Sequence, residues 1–306
     1  MNQKKKCIMY GILSATLFGI SSVIASILFR NNNIRPEWLV GTRMFWSGLI
    51  LLLLLFVRGQ SIFQVFKRKV DALLLICFGI FGVLLAQSSF FLSVYYGDAA
   101  SATVLQSLGP TVILILLTVK MRVWPSRREI ITILLALIGV FFLVTNGNLN
   151  HLSVPLSALI WGVISAFGVA GYTLIPKPLL SSQSSLVVVA WGLFIGGFAE
   201  NLINPVWKVP QGLSFTEIIL IGVVTFGGTL LAYSLYIASL CHLKSTVASL
   251  LGTLEPLTAT LLSVLVLQLH LKLFQVIGII LILLTVLLVS WPTKSVSIKS
   301  SLYPKS

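Results

Sequence analysis

The chain has 306 residues, of which 57% are hydrophobic and only 9% are charged, and its mean hydropathy is +1.04. Soluble domains carry about 25% charged residues, so this composition excludes a soluble fold. The net charge of +14 does not indicate nucleic-acid binding, because Lys and Arg occur in short clusters between apolar blocks. We therefore expect no nucleic-acid partner.

The apolar blocks are roughly 20 residues long, the length at which a helix crosses the hydrocarbon core, whereas β-barrel strands are about half as long and alternate. The pattern predicts an all-α integral membrane protein. Its ten transmembrane helices are expected near residues 8 to 29, 37 to 57, 72 to 94, 99 to 119, 128 to 145, 154 to 175, 186 to 204, 217 to 239, 246 to 266 and 271 to 291.

The first block follows Lys4, Lys5 and Lys6 and resembles a signal peptide. Its apolar run is too long for one, and nine similar blocks follow, so we predict an uncleaved first span. The cysteines Cys7, Cys77 and Cys241 show no CxxC spacing and indicate neither a disulfide framework nor a metal site.

Several predicted spans begin with helix-capping residues. Ser126 with Glu129 and Ser214 with Glu217 fit the S-x-x-E capping box, and Asp98 can cap the fourth span. These residues place three helix starts on independent grounds.

Placing the N-terminus in the cytoplasm assigns sixteen of the 21 Lys and Arg residues to that side. Four lie outside, namely Arg30, Arg35, Lys208 and Lys272, while Arg43 falls within the second span. The positive-inside rule therefore predicts a multi-pass protein of the cell membrane with two cytoplasmic tails, residues 1–7 and 292–306.

An internal repeat divides the chain. The segment 82–88 recurs at 228–234 with five of seven residues identical, and the same offset of 146 pairs Pro110 with Pro256. We predict two five-span units, 8–145 and 153–291. Because five is odd, the second unit must be inserted upside down relative to the first. The first helix fits two offsets, 143 and 149, and the sequence does not choose between them.

These residues also resemble a known family. Arg43 in the second span, the run 101–103 before Leu108-Gly109-Pro110, and the run 245–249 before Leu254-Glu255-Pro256 are similar to the EamA repeats of the drug/metabolite transporter superfamily. The resemblance covers residues 8–291. It implies ten spans, cytoplasmic termini and movement of small metabolites or drugs, commonly outward. The Leu-Gly-Glu that often follows the fourth span of each repeat is absent here.

Two oppositely inserted halves can open one central cavity to either face in turn, so a secondary transporter working by alternating access is the leading hypothesis. A flippase for a lipid or a lipid-linked sugar on the same scaffold would need a lateral opening and a basic pocket. A membrane-embedded enzyme would need convergent acid, base or metal groups. A structural subunit would not need inverted halves.

Polar side chains at bilayer depth must face protein or water, so they mark the candidate cavity. Glu255 falls nearest the midplane, and Arg43 either pairs with it, binds an anionic group or reaches the outer interface. Gln87 and Tyr233 occupy repeat-related positions. The full set of expected cavity residues is Glu255, Gln87, Tyr233, Arg43, Gln106, Trp46 and Trp191.

Helix breaks are expected at Pro110 and Pro256, because proline frees a backbone carbonyl and opens the helix locally. Transporters with inverted repeats build their sites at such breaks, although proline is frequent in membrane helices in general. Glu255 precedes Pro256. If transport is coupled to protons, we expect Glu255 to carry them; if it only caps groups freed by the break, a Gln could substitute.

No cofactor, metal or catalytic residue is predicted. The three histidines, His151, His242 and His270, lie far apart at loop ends, and no Gly-rich phosphate loop is present. The expected partners are a small-molecule substrate, membrane lipids and, as a coupling ion, protons. Aromatic and amide walls with few charges would suit a small zwitterion such as an amino acid, or an amphipathic compound.

Overall fold

The computed structural model describes residues 3–31, 34–122, 124–148, 152–240 and 251–290, and the regular elements within these ranges are all helical. We number the helices α1 to α10. Those formed by one segment are α1 Gln3–Asn31, α2 Pro36–Val57, α5 Arg127–Thr145, α6 Leu156–Leu174, α7 Ser185–Ile203, α9 Leu254–Leu267 and α10 Leu273–Ser290. The helices α3 Lys69–Tyr96, α4 Ala99–Met121 and α8 (residues 215–240) consist of several segments.

Eight of these helices are long and apolar enough to cross a membrane. The other two, α9 and α10, are shorter apolar helices that border residues 241–250 and 291–306, which lie outside the described ranges. The predicted all-α integral membrane fold with ten helices is confirmed. The C-terminal tail 292–306 and the residues Cys241, His151 and His242 also lie outside the described ranges.

The predicted caps are present. The Ser126 hydroxyl accepts from the Glu129 amide while the Glu129 carboxylate accepts from the Ser126 amide, and Ser214 and Glu217 form the same capping box. Asp98 accepts from the Ser101 amide at 2.8 Å. These helices therefore begin where the capping residues predicted.

Two helices contain a wider turn at equivalent places. In α3 a π-helical segment, Phe78–Leu84, separates the α-helical segments Lys69–Cys77 and Leu85–Tyr96. In α8 a π-helical segment, Val223–Leu231, separates Phe215–Gly222 from Ala232–Leu240. Adding 146 to the first π-helical segment places it inside the second. Such segments are rare and often lie at functional sites.

Helix α4 is interrupted. Two residues separate its first segment, Ala99–Gln106, from the second, Gly109–Met121, and Pro110 lies in the first turn of the second segment. In the second half of the chain, α9 begins at Leu254, with Glu255 and Pro256 in its first turn.

The two halves pack against each other through repeat-related helices. Helix α2 packs on α7, and α5 packs on α10. A Cβ atom on Gly48 would lie 2.7 Å from the Cα atom of Phe194, the residue 146 positions later. The contacts between non-equivalent helices are symmetric as well: α1 packs on α8, and their repeat equivalents α6 and α3 pack on each other. This arrangement is that of two interlocked inverted repeats.

The structure also bears on the register of the first helix. Gly82 faces Tyr172 of α6, and its repeat equivalent Gly228 faces Ser21 of α1. Ser21 and Tyr172 are 151 residues apart. The structure therefore gives an offset of 151, which is neither of the two that the sequence allowed; it differs from 149 by two residues and from 143 by eight.

Candidate functional site

Arg43 lies at the centre of the contacts between the halves and is 2% exposed. Its Nη1 donates to the Thr229 hydroxyl at 3.2 Å, and its Nη2 donates to the Gln87 side-chain carbonyl. The guanidinium carbon lies 4.0 Å from the centroid of the Phe91 ring, a cation–π contact. Three helices, α2, α3 and α8, thus hold one cation. Its Nε has no hydrogen-bond partner among the described residues.

Helical spacing brings these partners together. Gln87 and Phe91 are one turn apart on α3, and Thr229 and Tyr233 are one turn apart on α8, so each pair occupies one helix face. One residue separates the second π-helical segment from Tyr233, and two residues separate the first from Gln87. Thr229 lies within the second segment, and its hydroxyl donates to the Val224 carbonyl five residues earlier at 3.0 Å. The wider turns therefore set the direction in which these polar side chains point.

Gln87 joins the two halves directly. Its side-chain amide donates to the Tyr233 hydroxyl. Tyr233 also packs edge to face against Phe18 of α1, with ring centroids 5.0 Å apart. Since the hydroxyl accepts the bond from Gln87, its own proton remains to be donated to another group. Arg43, Gln87 and Tyr233 form one continuous polar chain.

Glu255 belongs to the same cluster through electrostatics. Its carboxyl interacts with Arg43 and with the three tyrosines Tyr172, Tyr233 and Tyr236. Within the described ranges no direct ion pair joins Glu255 to Arg43. Helix α1 passes close to this point, because a Cβ atom on Gly19 would lie 2.8 Å from the Glu255 carbonyl oxygen. The cluster therefore contains one cation and one carboxyl that are near each other but separate.

Four of the expected cavity residues are thus brought together, namely Arg43, Gln87, Tyr233 and Glu255. The structure places the other three differently. Gln106 ends the first segment of α4 and makes no hydrogen bond to this cluster among the described residues. Trp46 is 43% exposed and contacts Phe45.

Trp191 lies in a separate aromatic group at the opposite end of α7 from Glu200. Its ring packs against Phe63 and Phe66, with centroids 5.8 and 4.8 Å apart. Its indole N–H donates to the Ile62 carbonyl at 2.8 Å. Trp191 therefore ties the connection after α2 to the second half.

Four residues of the cluster were not predicted from the sequence, namely Phe91, Thr229, Tyr172 and Tyr236. One signal was present, because Tyr233 and Tyr236 are three residues apart and so share a helix face. Phe91 is indistinguishable from the other aromatic residues of an apolar helix. Tyr172 could be found only by fixing the register of α6 against α3.

The cluster can recognise a small polar molecule. Arg43 offers a positive charge and Tyr233 a hydroxyl proton, while Glu255 offers a carboxyl that can bind a cation or a proton. No group of three or more potential metal ligands occurs in the part of the chain that the structure describes. The cluster lies where the helices of the two halves meet, and it is a candidate binding site.

Comparison with known proteins identifies the family of the chain. The model of the EamA-like transporter family matches residues 5–145 and 156–291. A relative from Salmonella typhimurium, described as the uncharacterized inner membrane transporter YicL, is 35% identical over 294 residues, which are 95% of this chain and 97% of the relative.

A relative from Bacillus subtilis, described as the uncharacterized transporter YyaM, is 24% identical over 257 residues, or 80% of each chain. A solved chain described only as the crystal structure of a protein superposes with a TM-score of 0.63 at 14% identity, covering 93% of this chain and 96% of that one, and supports the fold alone. The chain is a multi-pass membrane transporter, and it belongs to the EamA-like transporter family.

Proposed function

We propose that the chain is a secondary transporter that moves a small metabolite or drug-like molecule by alternating access through the cluster of Arg43, Gln87, Tyr233 and Glu255. The observation that carries this proposal is the hydrogen bond between Gln87 and Tyr233. Because these residues hold equivalent positions in inverted halves, they lie on the pseudo-two-fold axis, which both halves share. A site on that axis is the one that can face either side in turn.

The substrate that suits this cluster is a small zwitterion, such as an amino acid. Its anionic group would approach Arg43 and the Tyr233 hydroxyl, and its amine would approach Glu255 among the tyrosines. Within the described ranges the cluster holds one cation, which gives little support to a flippase for lipids or lipid-linked sugars.

We further propose that protons are the coupling ion and that Glu255 carries them. Glu255 is the carboxyl of the cluster, and it has no ion pair with Arg43 among the described residues, so it is free to exchange a proton for a bound amine. The outward direction of transport rests on the family resemblance. Both termini are placed in the cytoplasm because Lys and Arg are concentrated on that side. The two repeat units are placed at residues 8–145 and 153–291.

A thermal-shift screen of the purified protein against amino acids and related zwitterions provides the first test. A ligand present at 100 times its dissociation constant stabilises the native state by about 2.7 kcal/mol, which raises the unfolding temperature measurably. We expect a hit with the wild type and its loss in Arg43→Met. If no zwitterion raises the unfolding temperature, this substrate class is wrong.

The second test uses the hit in proteoliposomes. Glu255→Gln should retain exchange of the radiolabelled hit and lose accumulation driven by a pH gradient. Glu200→Gln is the matched control, since Glu200 is also an acid of a membrane helix but bonds to Asn204 at 2.9 Å. Unchanged pH-driven accumulation in Glu255→Gln would reduce Glu255 to a structural residue.

A further inference from the structure

A cavity of about 380 Å³ lies away from the polar cluster, between the start of α2 and the residues that follow α7. It is at the end of the bundle opposite to the start of α1. Arg35, Trp38, Asn204 and Lys208 are among its lining residues. Its volume is in the range of small-molecule sites.

The cavity gathers positive charge at an end of the molecule where such charge is scarce. The positive-inside rule places four cations at this end, and two of them, Arg35 and Lys208, line this cavity. Both side chains are exposed, and neither forms an ion pair with any described residue. The nearby carboxyl of Glu200 accepts from the Asn204 amide at 2.9 Å and is not part of the lining. The cavity therefore favours an anion.

The start of α2 forms one wall of the cavity. The helix begins directly after Arg35, which makes no side-chain cap, and Pro36 occupies the first helical position. The acidic residue of the first turn, Glu37, does not line the cavity. Trp38 is only 8% exposed, and its indole N–H donates to the Val206 carbonyl at 3.3 Å, which fixes one wall of the cavity.

The position of the cavity indicates where the anion comes from. Because α2 starts and α7 ends here, the cavity lies at the boundary of the bilayer rather than on the central axis. Farther into the bundle α2 and α7 are in close contact, with Gly48 of α2 against Phe194 of α7. Ile203 lines the cavity and Leu202 precedes it in the chain. These two side chains are 78% and 72% exposed and form an apolar surface at the cavity.

We propose that this cavity binds the phosphodiester headgroup of a phospholipid in the adjoining leaflet, with Arg35 and Lys208 on the phosphate oxygens and the acyl chains along Leu202 and Ile203. Phosphate at the membrane surface meets Lys and Arg in this way, and aromatic residues such as Trp38 commonly lie at the same depth. The inference does not depend on the identity of the transported substrate.

The test measures lipid binding by native mass spectrometry of the full chain, after delipidation and titration with dioleoylphosphatidylglycerol. The double variant Arg35→Gln, Lys208→Gln should bind the lipid about tenfold more weakly than the wild type, because both phosphate contacts are lost. The matched control, Arg30→Gln, Lys272→Gln, removes the same charge from the same end without touching the cavity. The unfolding temperatures of both variants are measured to verify that each variant remains folded.

A second arm adds soluble glycerol phosphate in competition. We expect millimolar glycerol phosphate to leave the bound lipid in place, because the acyl chains contribute to binding. Efficient displacement would overturn the lipid assignment in favour of a free phosphate compound. Equal weakening of lipid binding in the double variant and in its control would overturn the site itself.

Discussion

Gln87 donates a hydrogen bond to Tyr233, the residue that occupies its own position in the other half of the chain. Two equivalent residues of an inverted repeat can contact each other only where the symmetry axis passes between them. The side chains are not the same, so the site on the axis is chemically asymmetric. One half contributes an amide and the other a phenol, and the Arg43 guanidinium binds that amide.

The first prediction concerns this bond. Tyr233→Phe removes the acceptor of the Gln87 amide, and interhelical hydrogen bonds in membranes contribute about 1 kcal/mol. Substrate exchange in proteoliposomes should slow about fivefold, because Gln87 is no longer held between Tyr233 and Arg43. Tyr95→Phe, at an exposed tyrosine of α3, is the control. Equal exchange rates in the two variants would show that the bond is dispensable.

The second prediction separates the charge of Arg43 from its shape. Arg43→Lys keeps the charge but cannot reach both Thr229 and Gln87, because an ammonium lacks the planar fork of a guanidinium. We expect substrate affinity, measured from ligand-induced thermal shifts, to fall about tenfold. Arg30→Lys should bind as the wild type does, since Arg30 is exposed. Wild-type affinity in Arg43→Lys would mean that a point charge is sufficient.

The third prediction concerns the contact between α2 and α7. A Cβ atom at position 48 would lie 2.7 Å from the Phe194 Cα atom and 2.9 Å from the Leu193 carbonyl carbon, and backbone cannot move aside cheaply. Gly48→Ala should therefore destabilise the protein by about 1–3 kcal/mol, as overpacking does. Unfolding in mild detergent measures this.

Gly222 provides the matched control for that experiment. A Cβ atom on Gly222 meets nothing within 4 Å. Because alanine is favoured over glycine inside helices by about 0.5–1 kcal/mol, Gly222→Ala should be neutral or stabilising. If both variants lost the same stability, close approach of α2 to α7 would not be the cause.

The fourth prediction tests orientation. In a chain whose Cys7, Cys77 and Cys241 are replaced by Ser, a cysteine at Lys208 or at His151 should react with an impermeant maleimide added to intact cells. A cysteine at Arg127 should react only after permeabilisation. The reason is the excess of Lys and Arg on the predicted cytoplasmic side. Labelling of position 127 in intact cells would contradict the topology.

Hydropathy and repeat offset predicted the helices, because both depend on signals carried by whole segments. The start of α5 was predicted differently, from the local capping chemistry of Ser126 and Glu129. The repeat offset of 146 also identified Gln87 and Tyr233 as equivalent positions of the two halves. Their direct contact was not predictable, because a repeat offset states which positions are equivalent and not how close the two halves come.

The remainder of the cluster depends on tertiary packing. Thr229 is fully buried, and its contact with Arg43 requires a specific rotation of α8. That rotation depends on the π-helical segment that contains Thr229. Such a segment leaves no trace in an apolar sequence, because its backbone hydrogen bonds are also made within the helix. Trp46 and Trp191 were expected at the cavity but lie outside the cluster. The sequence of a membrane helix does not indicate whether an aromatic residue faces a cavity, lipid or a loop.

The two π-helical segments have a consequence for the history of the chain. A π-helical turn arises when an α-helix accommodates one additional residue, and such turns are rare. Here Phe78–Leu84 and Val223–Leu231 occupy the same place in both halves. A single insertion in an ancestral five-helix protein, followed by gene duplication, accounts for both with fewer events than two separate insertions. On this account the wide turn is older than the two-fold architecture, and an ancestor that paired with a second, oppositely inserted copy of itself already contained it.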